Sequence, residues 1–177
     1  MPPRKIWYSV AIPNPDHLFE QAEKLIKPPR GRPREVDLRR AISAAYYGVF
    51  HATLTEAADL VVGAARRGTP LYGLVYRSVD HRALLDLCEE AQKPVPKEKY
   101  RPYFPAGGFS KTLIGYATAV VNLQEKRHEA DYDPTATIRS ADSQAAVQLA
   151  RGAVAGLQQA HRPERARFLH LLLFRPR

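Results

Sequence analysis

Hydrophobic residues recur every three or four positions along most of this chain, which is the spacing of helices that bury one face. Prolines and capping residues mark several ends of these segments; Asn14, for example, can cap a helix that starts at Pro15. The predicted helices cover Pro15–Ile26, a stretch from Val36 or Asp37 to beyond Leu60, Leu71–Gln92, Ser110–Tyr132, and a stretch from Ser140 that Pro163 breaks or kinks, followed by a final turn over Phe168–Phe174.

Sustained two-residue alternation, the mark of strands, occurs only at Ile6–Val10, among prolines, and we interpret that piece as an extended arm. The pattern therefore predicts an all-α fold, an antiparallel helical bundle of four to five main helices. Residues 1–34 form an N-terminal arm, the first helix and a basic linker. Residues 35–162 form the bundle core. Residues 163–177 form an apolar helical tail, packed on the bundle or at a dimer interface.

The net charge of this 177-residue chain is +9, which favours a polyanionic partner such as nucleic acid. A genome rich in Ala, Arg and Pro codons would produce the same charge without any such partner. A single Cys excludes an internal disulfide, and no Gly-rich phosphate loop or metal-ligand spacing is present, so we expect no metal and no cofactor. Without a signal peptide or a membrane-length apolar run, the chain is expected to be soluble and cytoplasmic.

A polar row lies on the second predicted helix. Arg40, Ser43, Tyr47 and His51 are three or four residues apart, so they share one face of a helix that is otherwise apolar. The ordinary explanation is that these are half-buried residues whose polar tips are satisfied locally. The alternative is a site, because every member of a polar row on a core helix needs a partner.

A second polar cluster, Arg127–Tyr132, ends the fourth predicted helix. Its ordinary explanation is a surface salt bridge between Arg127 and Asp131, with Tyr132 packed beneath the loop. In the functional interpretation, Arg127 binds a phosphate, His128 or His51 moves a proton near neutral pH, and Tyr132 orients or donates a hydrogen bond.

These motifs, taken in order, resemble the HEPN superfamily. An alanine-rich helix carries Tyr46–Tyr47 and then Phe50–His51, and a distal Arg127 is followed by the run Ala130–Pro134. The resemblance covers about Leu38–Leu157, most of the predicted bundle.

The resemblance implies a helical bundle that dimerises and an RNA ligand. Many HEPN proteins are metal-independent endoribonucleases, for example in toxin–antitoxin systems, often encoded beside a small nucleotidyltransferase that would act as the antitoxin partner. Others are non-catalytic modules that bind nucleotides, RNA or proteins. The candidate catalytic residues are Arg127, His128, Tyr132 and His51, and the candidate nucleic-acid-binding residues are Arg40, Tyr47 and Asp131.

The catalytic signature of the family is an Arg followed, after four to six intervening residues, by a His. After Arg127 those positions hold Tyr132, Asp133 and Pro134, and the nearest histidine, His128, is adjacent instead. A literal match runs from Arg165 to His170, beyond the region of resemblance, where we interpret it as a coincidence.

Three further features carry less weight. Arg30–Pro33 matches the core of an AT-hook, which would place an Arg-Gly-Arg strip in an A·T-rich minor groove, although it also serves as the linker before the second helix. The basic and aromatic loop Lys97–Phe104 can stack unpaired bases, but folding back onto the bundle is favoured. His17, His81 and His161 are expected to be solvated.

Overall fold

The computed structural model describes residues 12–176, and every regular element within them is helical. This confirms the predicted all-α fold and helical bundle. The Ile6–Val10 arm lies outside the described residues. Two short 3-10 helices, Ala64–Arg66 and Glu98–Tyr103, lie in the loops. The α-helices are α1 (Pro15–Ile26), α2 (Glu35–Val61), α3 (Pro70–Tyr76), α4 (His81–Ala91), α5 (Lys111–Tyr132), α6 (Ser140–Gln159) and α7 (Arg162–Leu173).

The helix α2 is the centre of the bundle. It packs most extensively against α1, α6 and α5, and it also contacts α3 and α7. All six residues of the segment 41–46 are buried, and six consecutive residues go round an α-helix more than once. A helix that is covered on all sides must be apolar nearly all round, which explains the Ala, Ile, Val and Phe side chains of α2.

Helix α1 approaches α2 closely at Gly48. A Cβ atom built there would lie 2.3 Å from the ring of Phe19, which belongs to α1 and is only 2 % exposed. The missing side chain of Gly48 therefore lets α1 lie against α2 along the face that carries Tyr47.

The prediction of one continuous helix over Leu71–Gln92 is wrong. The chain forms two helices, because α3 stops at Tyr76 and Asp80 begins a new helix by accepting a hydrogen bond from the backbone N–H of Ala83 at 2.7 Å. An aspartate side chain that satisfies a free N–H of a first turn is a strong helix start. The break sets α4 at its own position in the bundle, with His81 as its first residue.

The C-terminal segment is also more regular than expected. Instead of a final turn it forms the twelve-residue helix α7, and Phe168, Leu169, Leu171 and Leu172 are buried in the core of the same chain. The apolar tail is therefore mostly covered without a partner, and only Phe174 is largely exposed. The homodimer stays a prediction.

No α-helix within residues 12–176 has the length and apolar character that crossing a bilayer requires.

Replacing Gly48 with Ala should destabilise the protein by about 1–3 kcal/mol, because the added methyl group meets the buried Phe19 ring in a core with no room for it to move. This loss exceeds the gain in helix propensity that alanine normally brings. Chemical denaturation measures the change. Gly115→Ala is the matched control: it lies within α5 with open space around its Cβ position, and it should stabilise by about 0.5–1 kcal/mol. Equal effects of the two substitutions would contradict the close approach of α1 and α2.

Candidate functional site at the junction of α2, α4 and α5

The two predicted polar rows meet at Tyr47 and Arg127. The Nη2 atom of Arg127 donates a hydrogen bond to the Tyr47 hydroxyl at 3.1 Å. The guanidinium carbon lies 5.6 Å from the centre of the Tyr47 ring and 5.4 Å from the centre of the Tyr132 ring. Arg127 therefore lies between two aromatic rings, one from the central helix and one from its own helix.

Asp131 joins this arrangement from the next turn of α5. Its Oδ2 atom lies 2.8 Å from the Nε atom of Arg127, but that N–H is not directed at the carboxylate, so the contact is an ion pair rather than a hydrogen bond. Its Oδ1 atom accepts a hydrogen bond from the Ser43 hydroxyl at 2.5 Å. Burial lowers the pKa of Arg127, but Tyr47 and Asp131 raise it by more, so it stays above its ordinary value.

Three of the predicted residues line a groove between α1 and α2. Arg40, Tyr47 and His51 form the α2 side of this groove, whose volume is about 440 Å³, and Leu18 and Leu25 contribute from α1. The His51 ring stacks on the Tyr47 ring, with 6.3 Å between the two ring centres.

The Nδ1 atom of His51 lies 2.7 Å from the Tyr76 hydroxyl on α3. Burial raises the pKa of Tyr76 to about 12, so this hydroxyl keeps its proton at neutral pH. The structure thus brings four predicted site residues together, Tyr47, His51, Arg127 and Asp131, with Arg40 at the solvent side of the groove.

His128 faces elsewhere. It is exposed and lines a separate groove together with Glu125 and Glu129, two carboxylates. Its ring lies 4.9 Å from the ring of Tyr132, which is itself 62 % exposed. Tyr132 therefore touches both surfaces, whereas the structure does not bring His128 to Tyr47 or His51.

His81 is the residue that sequence reasoning missed. It was expected to be solvated, but its Nδ1 atom lies 2.8 Å from the hydroxyl of the buried Tyr46, which in turn donates to Oε1 of Gln124 at 2.9 Å. With the Gln124 amide in this orientation the hydroxyl gives its single proton to Oε1, and this assigns Nδ1 of His81 as the donor. The Nε2 atom then carries the lone pair, and the ring is held 3.9 Å from the centre of the Phe50 ring.

Both histidines are shifted toward the neutral form. Burial lowers the pKa of His51, and His81 lowers it further. Burial also lowers the pKa of His81, and the positive charge of Arg127 adds to the effect, which Asp80 partly opposes. We call Tyr47, His51, His81, Arg127 and Asp131 the Arg127 cluster: one phenol, one guanidinium, one carboxylate and two neutral imidazoles.

Arg39 holds the Arg127 cluster in place from outside. Its guanidinium donates hydrogen bonds to the backbone carbonyls of Ala130 at 3.0 Å, Asp133 at 2.8 Å and Ala136 at 2.6 Å. These carbonyls belong to the last turn of α5 and the loop after it, where a helix has no partners of its own. One side chain of α2 thereby fixes the end of α5 that carries Arg127, Asp131 and Tyr132.

The literal signature match at Arg165 and His170 does not form a site. Arg165 donates to the carbonyl of Gln158 at 2.7 Å, whereas His170 is exposed and lies beside Phe174. Within residues 12–176, no three His, Cys, Asp or Glu side chains are grouped so that they can hold a metal ion.

Arg39→Ala should lower the free energy of unfolding by about 2–4 kcal/mol, because three carbonyls lose a charged donor and stay partly buried. Arg40→Ala is the matched control, since Arg40 is exposed on the same helix and should change stability by no more than about 0.5 kcal/mol. Urea denaturation of both variants measures the difference. A small effect of Arg39→Ala would mean that the end of α5 is held by other contacts.

Stability should fall as the pH drops through about 6.5, the ordinary pKa of histidine. Below that pH the unfolded chain binds protons at His51 and His81, whereas the folded chain, in which both pKa values are lowered, does not yet bind them. The stability that the two neutral histidines contribute is therefore fully present only above about pH 6.5 and is lost as the pH falls. In the double variant His51→Gln, His81→Gln, the loss of stability between about pH 7.5 and about pH 5.5 should be smaller than in the wild type. Denaturation curves at the two pH values test this, and an unchanged pH dependence in the double variant would refute it.

Neither the known family models nor the curated proteins and solved structures show a significant match to this chain. Its function must therefore be argued from the geometry and chemistry of the Arg127 cluster.

Proposed function

We propose that this protein binds RNA at the Arg127 cluster. The observation that carries the proposal is that the Arg127 guanidinium is held in place while most of its N–H donors make no hydrogen bond to the described residues. An arginine has five N–H donors in a planar fork, and within residues 12–176 Arg127 uses only one of them, to Tyr47, in a hydrogen bond. Its side chain is still 20 % exposed. A positioned guanidinium with free donors is suited to the bidentate binding of a phosphate.

The surroundings of Arg127 suit a nucleotide chain. The Tyr132 ring is largely exposed and the Tyr47 and His51 rings are partly exposed, so bases have aromatic faces on which to stack. Arg40 adds an exposed positive charge at the groove, and the chain as a whole carries a net charge of +9. Arginines and lysines on such a surface attract a polyanion over a long range.

Metal-independent cleavage of the bound RNA is the second candidate, and the two neutral histidines favour it. A neutral imidazole takes the proton of a ribose 2′-hydroxyl, whose oxygen then attacks the adjacent phosphorus while the bond to the 5′-oxygen breaks. The imidazolium formed in this way returns the proton, through water, to the departing 5′-oxygen, and a 2′,3′-cyclic phosphate remains. Arg127 would stabilise the developing negative charge. The lone pair on Nε2 makes His81 the acceptor that we favour, with His51 as its partner.

The remaining expectations rank lower. The homodimer and the nucleotidyltransferase-type partner stay predictions of the HEPN resemblance. Binding to A·T-rich DNA needs an extended Arg-Gly-Arg strip, whereas the Arg30–Pro33 linker bends at Gly31, where φ is +76°. We therefore place DNA binding below RNA binding.

Arg127→Ala should weaken the binding of single-stranded RNA, and should lower any cleavage by about 100–1,000-fold, because a pre-placed charge donor is lost. Cleavage should survive EDTA. Arg127→Lys keeps the charge without the planar fork, so it should recover only part of either property. Arg66→Ala, an exposed arginine of the first 3-10 helix, removes the same charge elsewhere and should leave RNA binding nearly unchanged. Fluorescence anisotropy and gel analysis of labelled RNA measure the two effects.

The possible results separate the candidate functions. Wild-type protein that binds no RNA would refute the proposal as a whole. Binding without cleavage would refute only the ribonuclease candidate and favour the non-catalytic module. If Arg127→Ala unfolds, two milder variants take its place: Arg127→Lys, and Tyr47→Phe, which removes a single hydroxyl from the cluster. If both variants fold and both keep the RNA affinity of the wild type, RNA binds outside the cluster.

A further inference from the structure

A second groove runs along the outer face of α7. Pro163, Arg167 and His170 are three or four residues apart, so they form one face of this helix, and Phe174, which caps its C-terminal end, lines the same groove. Its opposite side is buried in the core. Across the groove stand Pro102 and Tyr103, from the end of the second 3-10 helix, and the volume of the groove is about 500 Å³. We call this feature the Tyr103 groove.

Two aromatic rings of the Tyr103 groove, those of Tyr103 and Phe174, are exposed to solvent and are not part of the core. Tyr103 is 54 % exposed and Phe174 is 65 % exposed. The neighbouring aromatic residues of the same loop, Tyr100 and Phe104, are buried, so the loop is anchored to the bundle at these two residues while the other six residues of 97–104 are exposed. Phe104 packs on Phe109 at 4.8 Å between ring centres. The loop is thus anchored from inside, so Tyr103 is presented on a fixed support and little conformational entropy is lost when a ligand binds.

The charge around the Tyr103 groove is strongly positive. The segments 97–103 and 162–176 contain seven Lys and Arg residues against two Glu, a net charge of +5 out of +9 for the whole chain. Among the described residues, four of these cations have no ion-pair partner. They are Lys99, Arg101, Arg162 and Arg167. Exposed aromatic rings interleaved with free cations are the features that bind single-stranded nucleic acid without sequence readout.

The Tyr103 groove leads toward the Arg127 cluster without sharing residues with it. Arg175, which directly follows Phe174, lies 3.4 Å from the carboxylate of Asp80 through its Nη2 atom. Asp80 caps the start of α4, where His81 is the first residue. The Phe174 end of the groove therefore lies near the end of α4 that supplies His81 to the cluster.

We propose that the Tyr103 groove is a second contact site for single-stranded RNA, in which bases stack on Tyr103 and Phe174 while Arg167 binds the phosphate backbone. This inference rests on the proposed function, since it concerns the same ligand. The groove has a role of its own: one part of the RNA strand lies at the Arg127 cluster, and the groove holds the neighbouring part of the same strand. The rings supply affinity for any base, because every base has a flat face.

The test measures the affinity of the full chain for a fluorescent single-stranded oligouridine at several salt concentrations. Tyr103→Ala and Phe174→Ala should each weaken binding by about 5- to 150-fold, the range that loss of one stacked base produces, and should leave the salt dependence unchanged. Arg167→Ala should weaken binding and reduce the salt slope by about one. Tyr103→Phe keeps the ring and should bind as the wild type does. Leu74→Ala is the matched control, because Leu74 on α3 is also 65 % exposed.

Each failure points to a different error. If Arg127→Ala weakens binding while Tyr103→Ala and Phe174→Ala do not, the groove inference is wrong and the proposed function stands. If only the groove variants weaken binding, the groove is an RNA site and the placement of the ligand at the Arg127 cluster is wrong. If the groove variants change the oligomeric state by light scattering and leave RNA affinity unchanged, the groove is an interface between copies of the chain, and this inference is overturned.

Discussion

A helix that is covered on nearly every side cannot leave a polar side chain without a partner, and this constraint shapes the whole site. The buried serine and threonine side chains of α2 both reach another helix. Ser43 bonds to Asp131 on α5, and the buried Thr53 shares a hydrogen bond with Tyr116 on α5 at 2.6 Å. Because an unpaired polar group in the core costs about 1–3 kcal/mol, these bonds select one register of the helices around α2.

That register is what turns separate polar residues into a site. Tyr46 draws its partners from two helices at once, His81 at the start of α4 and Gln124 on α5. Arg39 adds the end of α5 by binding its last carbonyls. Each contact is explained by the need to satisfy a buried group, yet together they bring two neutral imidazoles to one guanidinium. Hydrogen bonds inside a core restrict motion, so Tyr46 and His81 are held in place by their shared network, whereas the buried Nε–H of Arg127 has no hydrogen-bond partner among the described residues.

The sequence was sufficient for the features that depend on neighbours along the chain. The bounds of α1 follow from Asn14, Pro15 and the apolar spacing, and the end of α5 follows from Pro134, which disfavours helix at Asp133. The separation of α3 from α4 could also have been predicted, because an aspartate such as Asp80 often caps the start of a helix. The hydrophobic spacing, however, continues across Leu71–Gln92 and favoured one long helix.

The site itself was only half predictable. Tyr47, His51 and Arg127 could be recognised because they occupy one face of a core helix or the end of another. The roles of His81 and Arg39 could not, because their partners are 35 and more than 90 residues away and nothing in the local pattern distinguishes them from surface residues. His128 shows the reverse case: it is next to Arg127 in sequence, but a step of one residue turns a side chain by about 100° on a helix, away from its neighbour's partners.

The ion pair of Arg127 determines what kind of ligand contact the cluster can make. Asp131 holds the guanidinium at short range but without a directed hydrogen bond, and Ser43 anchors Asp131 so that it cannot swing away easily. A phosphate that binds Arg127 must therefore approach a fixed carboxylate of the same sign, which weakens its binding in the ground state. In the proposed RNA complex such an arrangement would give up affinity and keep orientation, so the stacking rings and unpaired cations of the Tyr103 groove would supply most of the affinity.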